Sequence, residues 1–247
     1  MNGIKPHTHE ERTAVIDKLI PVIKSQLGDN LLGLASGGSF ARGEDIDYSD
    51  LELVAFIKQP LKSDWEIRKI VDGLYIVVVA DTKEGYISKY LDITDIWYAS
   101  GGDKLKPIIN EELINELNAY KPTDIEQKCL AQIEKRWHLF QEITAKTLNT
   151  LKLKNQDGLP IILSQMVKEL LVILSYLNQT PYITLGKYIT QAKQFSVKPE
   201  GTNTLFDLFT SGKYQDLSSL DRVTKTIFSS LESDLEQKGL RLYTNEL

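Results

Sequence analysis

Seventeen residues constrain this chain more than any others: Gly37-Gly38-Ser39-Phe40-Ala41-Arg42-Gly43-Glu44-Asp45-Ile46-Asp47-Tyr48-Ser49-Asp50-Leu51-Glu52-Leu53. The apolar run Leu31-Leu32-Gly33-Leu34-Ala35 leads into them and a second apolar run leaves them, so the stretch reads as strand, turn, strand. Residues i and i+2 of a strand point to one face, which puts Asp50 and Glu52 together and turns Leu51 and Leu53 the other way. Adjacent carboxylates repel unless a cation lies between them. An all-oxygen pair on a rigid edge suits Mg²⁺, which takes one or two carboxylates and fills its other positions with substrate phosphates. Gly37 and Gly38, lacking Cβ atoms, let backbone N–H groups come close to such phosphates. Taken singly, the turn reads better as a plain loop and the acids as solvated side chains. The two together, between apolar strands, point to a metal–nucleotide site.

The order of elements follows from periodicity and punctuation. Thr8 and Glu11 have the spacing of a capping box, and apolar residues from Val15 to Leu27 recur at helical spacing, which predicts a helix over about His9–Leu27. Strands are predicted from about Leu31 and over Leu51–Ile57, with Pro60 closing the second. Trp65–Val71 and Leu74–Ala80 flank Asp72-Gly73, a strong hairpin signal. The second, almost wholly apolar run belongs in the centre of the sheet beside the carboxylate strand. A mixed helical pattern from Lys83 to Tyr98 is broken by Gly101-Gly102-Asp103. Lys106–Asn110 reads as an edge strand, where Pro107 is tolerated, and Glu111–Tyr120 as a helix.

Beyond Lys121-Pro122-Thr123-Asp124 strand signals nearly vanish. Helices are predicted over about Asp124–Leu151, from Pro160 to about Asn178, near Leu185–Phe195 and Thr204–Ser211, and over about Leu217–Gln237. Arg241-Leu242-Tyr243 reads as a terminal strand. The expectation is an α/β (α+β) mixed-sheet catalytic domain over residues 1–121, then an all-α helical-bundle domain over residues 122–247.

Composition bounds the partners. In 247 residues, 29 basic against 34 acidic side chains leave a net charge of −5, without the basic footprint of a nucleic-acid binder. Cys129 is the single cysteine, which excludes an internal disulfide or a cysteine zinc site. No apolar run reads as long as the roughly 18 residues of a membrane span, and the N-terminus lacks a signal-peptide core. A cytoplasmic protein with no nucleic-acid or membrane partner is expected.

Gly38-Ser39, ten intervening residues and Asp50-Leu51-Glu52-Leu53 match the signature of the nucleotidyltransferase superfamily. Ser39-Phe40-Ala41-Arg42 and Tyr48-Ser49-Asp50-Leu51-Glu52 resemble the kanamycin (aminoglycoside) nucleotidyltransferase group in particular. The Met-Asn-Gly opening, Glu10-Glu11-Arg12, the length and the order of the two halves are similar as well, while similarity outside the motif is faint. The resemblance implies Mg²⁺ on Asp50 and Glu52 and transfer of a nucleoside monophosphate from an NTP, with ATP the expected donor, to a hydroxyl of a small molecule. Pyrophosphate is released. It also implies a catalytic glutamate and a lysine one turn later on a helix of the second half. Glu142 and Lys146 have that spacing on one helix face, which an ordinary surface ion pair would share.

In these roles Ser39, with Gly38, grips the triphosphate, Arg42 holds its tail or pairs with Glu44 or Asp45, and Lys146 steadies the α-phosphate. A homodimer and antibiotic resistance are implied. The acceptor implied is an aminoglycoside, ahead of a lincosamide or another sugar alcohol. However, Val77 and His138 align where aminoglycoside-modifying relatives carry carboxylates, which removes attraction for a polycation unless Glu66, Asp81 or Glu84 compensates. The alternative is a protein-modifying or antitoxin-like nucleotidyltransferase whose helical half binds a partner protein. Of the remaining residues, Asp45 and Asp47 read as solvated loop acids, and His7 and His9 as idle at a frayed end. His138 reads as a partly buried helix residue, Trp97 and Trp137 as core, and Cys129 as a small buried hydrophobe.

Overall fold

The computed structural model describes residues 3–100 and 104–243; the expected helix break at Gly101-Gly102-Asp103 lies outside them. The chain divides into two compact units, Met1–Pro122 and Thr123–Leu247.

The first unit begins with α1 (His9–Leu27). The Thr8 hydroxyl accepts from the Glu11 N–H, and the Glu11 carboxylate accepts from the Thr8 N–H. This reciprocal pair satisfies donors that a helix start otherwise leaves open. Strands β1 (Leu31–Ser36) and β2 (Leu51–Ile57) pair antiparallel. Between them lies α2 (Gly38–Arg42), so the expected plain turn is a single helical turn, too short to leave a periodic signal in the sequence. β3 (Glu66–Val71) and β4 (Leu74–Thr82) form the hairpin, with Asp72 and Gly73 both at positive φ. The stretch after β4 holds α3 (Lys83–Tyr86), a π-helical turn at Ile87–Leu91 and a 3₁₀ turn at Trp97–Ala99. β5 (Lys106–Ile109) and α4 (Glu111–Ala119) complete the unit.

The sheet order is β3-β4-β2-β1-β5. β4 lies parallel beside β2, with Glu52 opposite Val77, and β5 is an edge strand. Alternation along β2 builds the core on both faces. Leu51, Leu53 and Ala55 pack with Ile16, Ile23 and Leu27 of α1, while Phe56 packs with Ile114 and Leu117 of α4. Fully burying a side chain such as Leu51 contributes roughly 1.5–3 kcal/mol, and a one-residue slip of β2 would forfeit the whole set.

In the second unit α5 (Ile125–Lys152) packs against α6 (Leu159–Leu177) and α9 (Leu217–Gln237). Between α6 and α9 run a 3₁₀ turn at Leu185–Lys187, α7 (Tyr188–Gln194) and α8 (Thr202–Thr210). Phe228 of α9 stacks on Phe140 and lies against Trp137 of α5. Arg136 Nη2 reaches both carboxylate oxygens of Glu169, at 3.1 and 2.8 Å, joining α5 to α6.

Two expectations are corrected here. Helix α6 is long and apolar enough to cross a membrane by length and composition, although 61% of its most apolar window is buried inside the protein. Lys168-Glu169 interrupts the run and hides it from a simple scan. Residues 241–243 form no strand, because the described residues of this unit include no strand to pair with; instead Tyr243 sets its ring edge-on to Trp137 and donates its hydroxyl to Glu232.

Candidate active site

The turn after β1 is shaped by close approach. The Gly37 N–H donates to the Glu52 carbonyl at 3.0 Å, tying the turn to β2. Gly38 has φ +62°, and a Cβ there would stand 2.5 Å from Glu52 Oε2. Only glycine meets both conditions. Ser39 follows in the first turn of α2, and Gly43, left-handed at φ +68°, ends that helix.

On β2, Leu51 and Leu53 are buried while Asp50 and Glu52 are exposed on the other side. The pair therefore projects together beside the Gly38-Ser39 turn. Two exposed carboxylates beside a glycine turn that Glu52 closely approaches suit a hard cation that fills its remaining positions with phosphate oxygens. Among the described residues no group of three or more His, Cys, Asp or Glu side chains forms a protein-only metal cluster.

Residues 45–49, which deliver the chain to Asp50, are fastened by Arg12 of α1. Its guanidinium is fully buried. Nε and Nη2 donate to the Ser49 carbonyl at 3.1 and 2.9 Å, and Nη2 also reaches the carbonyls of Ile46 at 2.7 Å and Asp47 at 3.1 Å. Nη1 donates to the His7 carbonyl at 2.8 Å and to Asp45 Oδ2 at 3.1 Å. Asp45 Oδ1 lies 2.7 Å from His9 Nδ1, and the His9 ring stacks on Phe40 at 4.3 Å between centroids.

Asp45, expected in solvent, has a side chain only 2% exposed, and His9, expected to be idle, bridges it to α2. Sequence reasoning missed this set. One signal was present: Arg12 continues the stripe of Ile16, Ile23 and Leu27 at helical spacing, and a charge on a buried stripe demands a partner. Asp47 is exposed as expected, although its carbonyl accepts from both Arg12 and the His7 N–H.

The neighbouring acids are engaged. Arg42 Nε donates to Glu44 Oε2 at 3.0 Å, the loop pairing that stood beside a phosphate role in the sequence. Glu66 pairs with Arg68 at 2.7 Å and Asp81 with Lys89 at 2.8 Å. Arg68 stands opposite Val77, which stands opposite Glu52. Near Asp50, Ile4, Tyr48, Ser49, Ile70 and Tyr75 line a cavity of about 290 Å³.

In the second unit Glu142 and Lys146 are both exposed on α5, with Lys146 Nζ 2.8 Å from Glu142 Oε1. The hydrogen bond and charge of Lys146, with a smaller contribution from His138, hold the Glu142 carboxyl below its usual value. His138 is exposed rather than partly buried. Its position one turn before Glu142 faces it to solvent, while Trp137 beside it turns into the core at 2% exposure. Trp97 is likewise buried, as is Cys129, whose thiol is pushed up to about 12 by burial.

Residues 137–241 match the family of the KNTase C-terminal domain, that of the kanamycin nucleotidyltransferases. Among solved structures, the chain is similar to a nucleotidyltransferase-like protein from Exiguobacterium sibiricum 255-15. The identity is 12%, with 90% of this chain and 75% of that chain covered and a TM-score of 0.49. No curated protein matches. The family match in the second unit and the motif in the first support a nucleotidyltransferase resembling the kanamycin group.

Proposed function

We propose that this protein transfers a nucleoside monophosphate from an NTP, with ATP the expected donor, to a hydroxyl of a small molecule and releases pyrophosphate. The approach of Gly38 to Glu52 carries the reading, since it sets a phosphate-sized turn against a carboxylate pair. Asp50 and Glu52 hold Mg²⁺, which when bound supplies positive charge to the phosphate oxygens. Ser39 binds the triphosphate through its hydroxyl and N–H, and Arg42, released from Glu44, holds the tail. The acceptor oxygen attacks the α-phosphorus and the bond to the β-phosphate oxygen breaks. Glu142 takes the hydroxyl proton, and Lys146 steadies charge on the α-phosphate. Glu142 is exposed and is ionised at neutral pH, as a base requires, and Lys146 holds its carboxyl lower still.

By resemblance the acceptor is an antibiotic, with an aminoglycoside first, and the chain works as a cytoplasmic homodimer. The pairing of Glu66 and Asp81 with cations, and Val77 opposite Glu52, weaken the pull on a polycation. Lincosamides and neutral sugar alcohols therefore belong beside aminoglycosides in the test. Pyrophosphate release is measured with Mg²⁺ and each of the four NTPs across that panel. An acceptor that stimulates release identifies the class, and a panel with no stimulation by any member overturns the small-molecule reading.

A further inference from the structure

Burying a guanidinium is costly unless its donors are satisfied, and packing alone would be served as well by an apolar side chain. Arg12 is nevertheless fully buried, and five of its six bonds run to main-chain carbonyls or a carboxylate within residues 45–49. The Ser49 carbonyl, in the peptide bond that leads into Asp50, receives two of them. Asp50 is thus held on its N-terminal side by Arg12 and on its C-terminal side by the pairing of Leu51 with Ile76. The same guanidinium is linked to the Gly38–Arg42 turn through two intervening side chains. Asp45 takes Arg12 on one oxygen and His9 on the other, and His9 lies flat on Phe40, the residue after Ser39.

We propose that Arg12 is a positioning residue for the carboxylate pair, and that through Asp45 and His9 it sets the Ser39 turn and Asp50 in register with each other. This rests on the metal–nucleotide reading of Asp50, Glu52 and Ser39. A side chain that only stabilised the fold would alter how much protein is folded. One that sets the ligands alters the affinity of the folded protein for a metal ion, and loss of such outer contacts typically weakens metal binding roughly 10-fold to 100-fold.

The test is Mn²⁺ binding in the presence of ATP, followed by electron paramagnetic resonance on the full chain, for wild type, Arg12→Lys, His9→Phe and Asp50→Asn. Lysine keeps the charge with three donors in place of five. Phenylalanine keeps the ring on Phe40, deletes only the bond to Asp45, and serves if Arg12→Lys does not fold.

The expected result is loss of Mn²⁺ binding in Asp50→Asn, weakening of about 10-fold or more in folded Arg12→Lys, and a smaller weakening in His9→Phe with a raised KM for ATP. If Asp50→Asn abolishes binding while both other variants match wild type, Arg12 is structural only and the positioning role is overturned alone. If Asp50→Asn binds Mn²⁺ like wild type, the metal reading fails and the positioning role fails with it.

Discussion

Glu52 Oε2 occupies the space that a side chain at residue 38 would need, 2.5 Å from the position of an ideal Cβ. The φ of Gly38, +62°, is also one that L side chains rarely adopt. Gly38→Ala therefore forces either the turn or the carboxylate to move. The expected cost is about 1 kcal/mol or more in stability, and a far larger loss in metal-dependent turnover. Thermal unfolding and kcat measured on the same samples separate the two, and full activity in Gly38→Ala would show that Glu52 is not a ligand.

The Glu142–Lys146 pair gives a pH dependence with a definite sign. Lys146 holds the Glu142 carboxyl down, so the base stays ionised until the pH falls below the usual carboxylate range. Lys146→Met removes the main cause and raises that value. The acid limb of kcat/KM, which reports the free enzyme, should move to higher pH in Lys146→Met, along with a lower rate at neutral pH. Glu142→Gln should keep nucleotide binding and lose rate. An acid limb that does not shift would remove Glu142 from the role of base.

Cys129 is buried among α5 contacts with its thiol pushed up to about 12. Because the thiolate is the reactive form, the native protein should react with an aromatic disulfide reagent only as it unfolds. One thiol per chain should appear in denaturant. Rapid labelling under native conditions would contradict the burial.

The hydroxyl of Tyr182 donates to the Leu171 carbonyl at 2.8 Å in the interior of the helical unit, and burial raises its phenol. Tyr182→Phe keeps the ring and removes this one bond, while the Leu171 carbonyl keeps its place in the ladder of α6. The expected loss is about 0.5–1.5 kcal/mol, read by denaturant unfolding, with nucleotide binding unchanged.

Local signals carried far in the first unit. The Thr8–Glu11 box placed the start of α1, the alternation of Leu51 to Ile57 placed β2 and the facing of its carboxylates, and Asp72-Gly73 placed the hairpin. Each rests on residues near one another in the chain. What was not legible depends on residues far apart or on elements too short to have a period. Helix α2 is one turn long, and Arg12 meets Asp45 and Ser49 across more than thirty residues. The terminal strand suggested by Arg241–Tyr243 failed because local propensity cannot supply a pairing partner. Helix α6 hid its apolar length behind Lys168-Glu169, which lie on a helix otherwise set in the core.

The most direct measurement follows two labels. With the acceptor that stimulates pyrophosphate release, ATP labelled at the α-phosphate is compared with ATP labelled at the γ-phosphate, for wild type and Asp50→Asn. The α-label is expected on the acceptor and the γ-label in pyrophosphate. Transfer should fall at least roughly 100-fold in Asp50→Asn, as expected when electrostatic stabilisation of the transition state is lost. A γ-label on the acceptor, or undiminished transfer by Asp50→Asn, would contradict this reading.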